Sequence, residues 1–343
     1  MKYEVIKLDQ DLQKKLMFEP APANMINLST NENKFIHHDI LKYKLKDFSP
    51  NLIVNNYGTS KHSSLRQSYA RYLNIEESQI LPAPGSESLI QVLLNGFVKN
   101  SLLTFQTDFF RYEEIALLQN KKHYTVNNNE GISGLIAKAK GVQPDLIILS
   151  NPNNPLGNIY EEKDLLFLLD EVQCYVVIDE AYAEYTNITL TKYLTQYPNL
   201  IILKTMSKAW GLASLRVGFV VANYSIIKYL DAIQGPFVLA DLNGYIAEIV
   251  LNQKDQMLKS VEQTKIAREE FVKELENLGF ESIKSHTNFV YIKSSDASEI
   301  SNKLFHNNMV VASRNDGLRI TIGQKNDMNK LINILKQIKP EQT

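Results

Sequence analysis

The feature that most limits how this chain can fold is a series of short apolar runs, at 101–105, 145–150, 175–179, 200–204 and 217–222, each separated from the next by a longer stretch of mixed polarity. Runs this short, rich in β-branched residues and without polar alternation, suit strands covered on both faces. Helix-length intervals between them suit crossovers that join parallel strands. One interval is explicit: Glu161 to Val172 sets Leu165, Leu166, Leu168 and Leu169 at i, i+1, i+3 and i+4, a single helical face. The reading is an α/β fold with a mostly parallel central sheet.

The pattern changes after Pro236. A long polar stretch of helical period covers 241–278, followed by strand-like 288–293, a helix over 297–308 and strand-like 318–322. These predict a second, smaller α+β unit. The first 40 residues hold no core-sized apolar pattern of their own and are expected to lie against that unit as an arm. A chain of 343 residues also exceeds what one hydrophobic core usually serves. The expected division is a large domain over 41–237 and a small discontinuous domain made of 1–40 and 238–343. The run Asn127-Asn128-Asn129 reads as a solvated turn.

Composition removes several functions. With 37 Lys and Arg against 38 Asp and Glu, the net charge is −1, and no global basic field is available to hold nucleic acid or an anionic membrane surface. The single cysteine, Cys174, can form neither an intramolecular disulfide nor a thiolate metal cluster. His37 and His38 are adjacent and the other histidines isolated, so no pair has the i, i+4 spacing that sets two imidazoles on one ion, and no metal is expected. No apolar run approaches the roughly 18 residues that cross a bilayer. Met1 to Lys15 mix acids and amides among their apolar residues, unlike a secretory leader. A reducing, cytoplasmic location is expected, and sequons such as Asn27-Leu28-Ser29 are then chance matches. The dinucleotide, P-loop and α/β-hydrolase glycine motifs that this fold class invites are missing.

Four segments at predicted strand ends concentrate polar side chains. In Leu149-Ser150-Asn151-Pro152-Asn153-Asn154-Pro155-Leu156-Gly157 an apolar strand enters a loop of amides and prolines, at the carboxyl edge where open α/β sheets bind ligands. An ordinary turn has the same composition. Val176-Val177-Ile178-Asp179-Glu180-Ala181-Tyr182 ends a strand on a carboxylate, and a buried Asp179 needs a cation or donor unless it caps a helix. Between Lys204 and Phe219, Thr205, Ser207, Lys208 and Arg216 form a cationic turn rich in donors, which suits a phosphate. A lysine desolvated beside another cation has a lowered pKa that frees its amine for a Schiff base; a surface Lys and Arg on a connecting turn is the plainer alternative. Finally, Pro84-Gly85-Ser86-Glu87-Ser88 opens an apolar helix with small residues, leaving backbone N–H groups and the positive dipole end for an anion.

Taken in order, N-P-N-N-P-x-G, D-E-A-Y and S-K-A-x-G-L-A-x-L-R-x-G resemble the pyridoxal-phosphate-dependent aminotransferases of fold type I, most closely the histidinol-phosphate aminotransferase group. The likeness extends from Asn31-Glu32-Asn33 to Leu318-Arg319-Ile320-Thr321-Ile322-Gly323. It implies that Lys208 joins pyridoxal 5′-phosphate through a Schiff base and then acts as general base and acid. Asp179 would pair with the ring nitrogen, and Asn154 and Tyr182 would hold the ring hydroxyl. Arg216, Ser207, Thr205 and the Gly85-Ser86-Glu87 turn would bind the phosphate, with Phe109, or else Phe110, over the ring. The resemblance also implies that Arg319 grips the substrate α-carboxylate, with Asn31 on the same side. Tyr57 would reach the cofactor phosphate of a neighbouring subunit, so the site would be shared across a homodimer.

The implied activity is ping-pong transfer of an amino group between histidinol phosphate and 2-oxoglutarate. An aminotransferase for aromatic or other amino acids, a threonine-phosphate decarboxylase and a cofactor-binding regulatory protein stay open beside it. The sequence departs from the family pattern at Leu156 (commonly Thr), Gly58 (commonly Pro) and Ser88 (frequently an acid), and its start lacks the Tyr/Pro-Gly segment that helps close the substrate pocket.

Overall fold

The structure, a computed structural model, describes residues 20–48, 55, 57, 62–186, 188–314 and 316–338. Within these, strands β1 (Ile26–Leu28), β2 (Ile80–Ala83), β3 (Ser101–Phe105), β4 (Lys122–Val126), β5 (Leu146–Ser150), β6 (Tyr175–Asp179), β7 (Leu200–Thr205), β8 (Gly218–Ala222), β9 (Ser282–Ile283), β10 (Phe289–Lys293), β11 (Met309–Arg314) and β12 (Gly317–Thr321) form two sheets.

The larger sheet has the order β2-β8-β7-β6-β5-β3-β4. Strands β3 to β7 pair in parallel, and β8 lies antiparallel between β2 and β7. The near-continuous apolar runs have a direct cause. Ile147, Leu149, Val176, Ile178 and Ile202 pack into a core on one face of the sheet, while Leu146, Ile148, Val177, Ile201 and Leu203 pack into a separate core on the other. Alternate residues point to opposite faces, and both faces are buried. The two edges escaped the sequence reading for opposite reasons. β2 contains Pro82, tolerated at an edge, and β4 is a largely exposed Lys-His-Tyr-Thr-Val without an apolar run.

The smaller sheet has the order β1-β11-β12-β10-β9, with β1 parallel to β11 and the other pairs antiparallel. Residues 26–28 of the expected arm thus join this sheet as a strand; residues 1–19 lie outside the described residues. β11 was not anticipated between the predicted helix and the last strand. The helix predicted over 241–278 is two helices, Asp241–Leu251 and Lys254–Asn277. The break at Asn252 and Gln253 redirects the chain: Ile246, Ala247 and Val250 pack in the core of the larger sheet, whereas the second helix starts there with Met257 and Val261 and ends in the small-sheet core with Phe271 and Leu275.

Candidate active site

The carboxyl ends of β5, β6 and β7 deliver Ser150, Asp179 and Thr205, with Phe109 and Lys208 on the loops that follow β3 and β7. Asp179 is buried, its Oδ2 accepting from the Tyr112 hydroxyl at 2.8 Å and its Oδ1 from the Ala181 N–H at 3.0 Å. Burial raises its pKa to about 6, against the pull of those two donors. The Lys208 amine donates to the Thr30 carbonyl at 3.0 Å and lies 5.8 Å from the centre of the Tyr182 ring. Burial first, then the guanidiniums of Arg319 and Arg216, lower its pKa to about 7. The amine is therefore substantially uncharged at neutral pH, the state a nucleophile or base requires.

One end of the site is a cradle of donors. The helix Gly85–Phe97 starts without a side-chain cap, at Gly85 with φ +81°. A Cβ on Gly85 would lie 2.9 Å from Nη2 of Arg216, and one on Gly218 would lie 2.5 Å from the Ser86 nitrogen, so both glycines permit the close packing that brings these groups together. Arg216 Nη1 donates to the Ala213 carbonyl at 3.1 Å and to Ser207 Oγ at 3.5 Å, and Thr205 Oγ1 donates to Ser207 Oγ at 3.0 Å. The Glu87 carboxylate is paired with Arg111 at 2.8 Å, so it is Glu87's backbone that shares in the helix terminus.

The other end is closed by the small sheet. Arg319 is buried, donates from Nη1 to Asn154 Oδ1 at 2.6 Å and from Nη2 to the Ser29 carbonyl, and keeps a buried Nε without a partner. Burial lowers its pKa to about 10. Tyr182 is buried, with its pKa raised to about 12 by desolvation, and its hydroxyl accepts from Asn31 Nδ2 at 2.8 Å. Phe109 packs partly buried against the second core, while the Phe110 ring carries the Arg314 guanidinium at 4.3 Å. Phe109 also meets the Phe110 ring at 5.2 Å and the Tyr112 ring at 5.5 Å, both edge-on. Tyr57 stands apart, 79% exposed and stacked on Phe237 at 4.6 Å; its sequence neighbours Asn56 and Gly58 lie outside the described residues.

Several contributors went unread in the sequence. Tyr112 has the spacing of an ordinary helical core residue, yet it is the hydroxyl partner of Asp179. Asp108 accepts from the N–H of Phe109 at 2.7 Å and from Ser150, whose Oγ in turn accepts from the Asn154 N–H at 3.0 Å. Burial raises its pKa to about 7. Arg314, opposite Gly317 at the β11–β12 turn, also keeps a buried Nε without a partner. A signal existed only for Arg314, as a cation closing an apolar run. Among the described residues no cluster of His, Cys, Asp and Glu could hold a metal.

A lysine whose pKa is lowered by burial and two guanidiniums, a buried carboxylate and an uncapped helix terminus beside Arg216 thus lie together at the carboxyl edge of an α/β sheet. The sequence matches the family described as aminotransferase class I and II over residues 23–335. The chain belongs to that family and is a fold type I aminotransferase that uses pyridoxal 5′-phosphate. It is 32% identical over 323 residues to the histidinol-phosphate aminotransferase of Clostridium novyi (strain NT), covering 91% of each chain. It is 31% identical over 325 residues to that of Caldanaerobacter subterraneus subsp. tengcongensis, covering 91% of this chain and 92% of the relative. Its fold matches the histidinol-phosphate aminotransferase of Sinorhizobium meliloti in complex with pyridoxal-5′-phosphate, at a TM-score of 0.87 and 20% identity, over 97% of this chain and 99% of that one. The groups present fit the cofactor: an uncapped helix terminus with a guanidinium beside it suits the phosphate, and a buried carboxylate restrained by only two donors suits a protonated ring nitrogen.

Proposed function

We propose that this aminotransferase moves an amino group between histidinol phosphate and 2-oxoglutarate in a ping-pong cycle. The observation that carries the reading is the pair of guanidiniums of Arg319 and Arg314, on adjacent strands, each with a buried Nε lacking a partner. Two such groups suit substrates that carry an anion beside the reacting carbon and others that carry two anions. The curated relatives, named histidinol-phosphate aminotransferases and matched over nine tenths of their length, support the same substrate.

Each residue then has a task. Pyridoxal 5′-phosphate, when bound, supplies the electron sink that stabilises negative charge at the substrate carbon. Lys208 Nζ would hold the cofactor and, when free, would take the proton from the reacting substrate carbon and deliver it to the cofactor carbon that receives the amino group. The Asp179 carboxylate keeps a proton on the ring nitrogen, with Tyr112 fixing its Oδ2. Asn154 and Tyr182 hold the ring hydroxyl, and Phe109 covers the ring. Arg216, Ser207, Thr205 and the backbone of Gly85, Ser86 and Glu87 bind the phosphate. Arg319 and Asn31 orient the anionic end of the substrate so that the bond to be broken faces the lysine.

The same proposal includes a homodimer in which Tyr57 of one copy completes the phosphate site of the other. The support is an exposed aromatic pair, Tyr57 on Phe237, which a second copy would cover. No described helix is long and apolar enough to cross a membrane, and a cytoplasmic location belongs to the proposal. So does the division into a domain over 41–237 and one over 1–40 and 238–343, supported by the two separate sheets. The test is a half-reaction screen that follows the bound cofactor's visible absorbance on adding histidinol phosphate, glutamate, phenylalanine or phosphothreonine singly. Histidinol phosphate and glutamate should each discharge it. Discharge by phenylalanine with no response to histidinol phosphate, or release of CO₂ from phosphothreonine, would overturn the substrate assignment.

A further inference from the structure

Thr321 ends β12 in the smaller sheet, and Tyr182 follows β6 in the larger one. Asn31 joins them. The Asn31 backbone N–H donates to Thr321 Oγ1 at 3.0 Å, and Thr321 Oγ1 donates back to Asn31 Oδ1 at 3.1 Å. Asn31 Nδ2 then donates to the Tyr182 hydroxyl at 2.8 Å. Asn31 and Tyr182 are almost fully buried and Thr321 entirely so, and Asn31 sits at φ +56°, a conformation asparagine tolerates better than most residues.

The Thr321 oxygen takes a backbone N–H, which cannot reverse, and gives its single proton to Asn31 Oδ1, an arrangement that turns the NH2 end of the amide toward Tyr182. The Tyr182 oxygen therefore receives a proton from Asn31, and its own hydroxyl proton is left for a partner in the site. We infer that Thr321 is a positioning residue which, through Asn31, makes Tyr182 a hydrogen-bond donor toward the ring hydroxyl of the cofactor. Without the threonine hydroxyl the amide is free to turn, and its oxygen then draws the Tyr182 proton away from the site. The inference rests on the reading that Tyr182 holds that ring hydroxyl. The charged groups around Tyr182 are Asp179 from the end of β6, Arg319 from β12 and Lys208 from the loop after β7, and Thr321→Val leaves all three in place.

A ring oxygen that accepts a hydrogen bond holds a neighbouring proton less firmly, so losing the donor moves the pH midpoint of the bound cofactor's absorbance upward. The experiment measures that midpoint without substrate, with the dissociation constant for pyridoxal 5′-phosphate and the melting temperature, in Tyr182→Phe, Thr321→Val, Thr321→Ser and the Thr321→Val/Tyr182→Phe pair. Tyr182→Phe should raise the midpoint by on the order of one pH unit, the size expected for one hydrogen bond to an ionised group. Thr321→Val should reproduce most of that shift, Thr321→Ser should restore the original midpoint, and the double variant should match Tyr182→Phe alone. A wild-type midpoint in Thr321→Val beside a shifted Tyr182→Phe overturns the relay and leaves the role of Tyr182 standing, as does a lowered melting temperature with no shift. Additive shifts in the double variant overturn it too. An unshifted Tyr182→Phe overturns both readings. If Thr321→Val fails to fold, Asn31→Asp replaces it: a carboxylate there can only accept from Tyr182, so the midpoint must rise, and an unchanged midpoint overturns the relay.

Discussion

The larger sheet delivers its functional groups at and beyond its strand ends, Asp179 closing β6 and Lys208 three residues past β7, whereas the smaller sheet delivers Arg319 from the middle of β12 and Thr321 from the end of the same strand. The first arrangement yields contiguous polar motifs in sequence. The second yields two polar residues, two positions apart and so on one face, alternating with Leu318, Ile320 and Ile322 of the small-sheet core. The chemistry divides in the same way. The larger sheet carries the groups proposed to hold and activate the cofactor, and the smaller sheet the buried cation proposed to hold the substrate. The division teaches that a substitution on one sheet should act mainly on the cofactor, and on the other mainly on the substrate, with Thr321 reaching across through Asn31 and Arg319 through Asn154 and the Lys208 amine.

The largest effect should come from Lys208→Ala, with turnover lower by about 10⁴-fold, the upper end for loss of a positioned acid–base group, and the visible absorbance of the bound cofactor changed. Full turnover would remove the lysine from the mechanism. Asp179→Ala should cost about 10² to 10³ in kcat while the protein still takes up some cofactor, a loss on the scale of other preorganised electrostatic groups; an unchanged kcat would refute its role. On the smaller sheet, Arg319→Ala should weaken anionic substrates by on the order of 10²-fold, the scale for a buried charge pair that loses a partner. Cofactor affinity should fall far less than substrate affinity, while the Lys208 pKa should rise because the Arg319 guanidinium helps hold it down; an equal loss of both affinities would break the division between the sheets.

Smaller effects sharpen the comparison. Because burial and two guanidiniums lower the Lys208 pKa to about 7, the amine is uncharged above that pH and charged below it. The rate at which apoenzyme takes up pyridoxal 5′-phosphate should therefore rise through pH 7 and then level off. A rate still climbing toward pH ~10, where an unperturbed lysine titrates, would show that the amine is not held down. The smallest signal should come from mixing Tyr57→Phe and Lys208→Ala proteins, with partial recovery of activity once subunits exchange. No recovery despite exchange would place Tyr57 outside the shared site.

The strands of the larger sheet were legible because burial on both faces leaves little room for polar residues, and runs such as 175–179 carry that constraint in plain form. Its edges were not, since Pro82 and the exposed β4 lack the pattern. Lys208, Asp179 and the Gly85 turn stood out because polar residues closing buried strands need partners. Tyr112, Asp108 and the Asn31–Thr321 pair did not, because their meaning lies in contacts between distant segments: Tyr112 with Asp179 is 67 residues apart, and Asn31 with Thr321 is 290. The single helix read over 241–278 failed for a related reason. Its period continues through Asn252, while the need to leave one core for another is a property of the assembled fold.

The central claim is that Lys208, of all the lysines, carries the cofactor. Borohydride reduction of the holoenzyme followed by proteolysis and mass mapping tests it without relying on turnover. The account predicts a pyridoxyl adduct on the peptide containing Ser207-Lys208-Ala209, and none elsewhere at equimolar cofactor. An adduct on Lys204 or another lysine, or no adduct on a protein that retains bound cofactor, would contradict it.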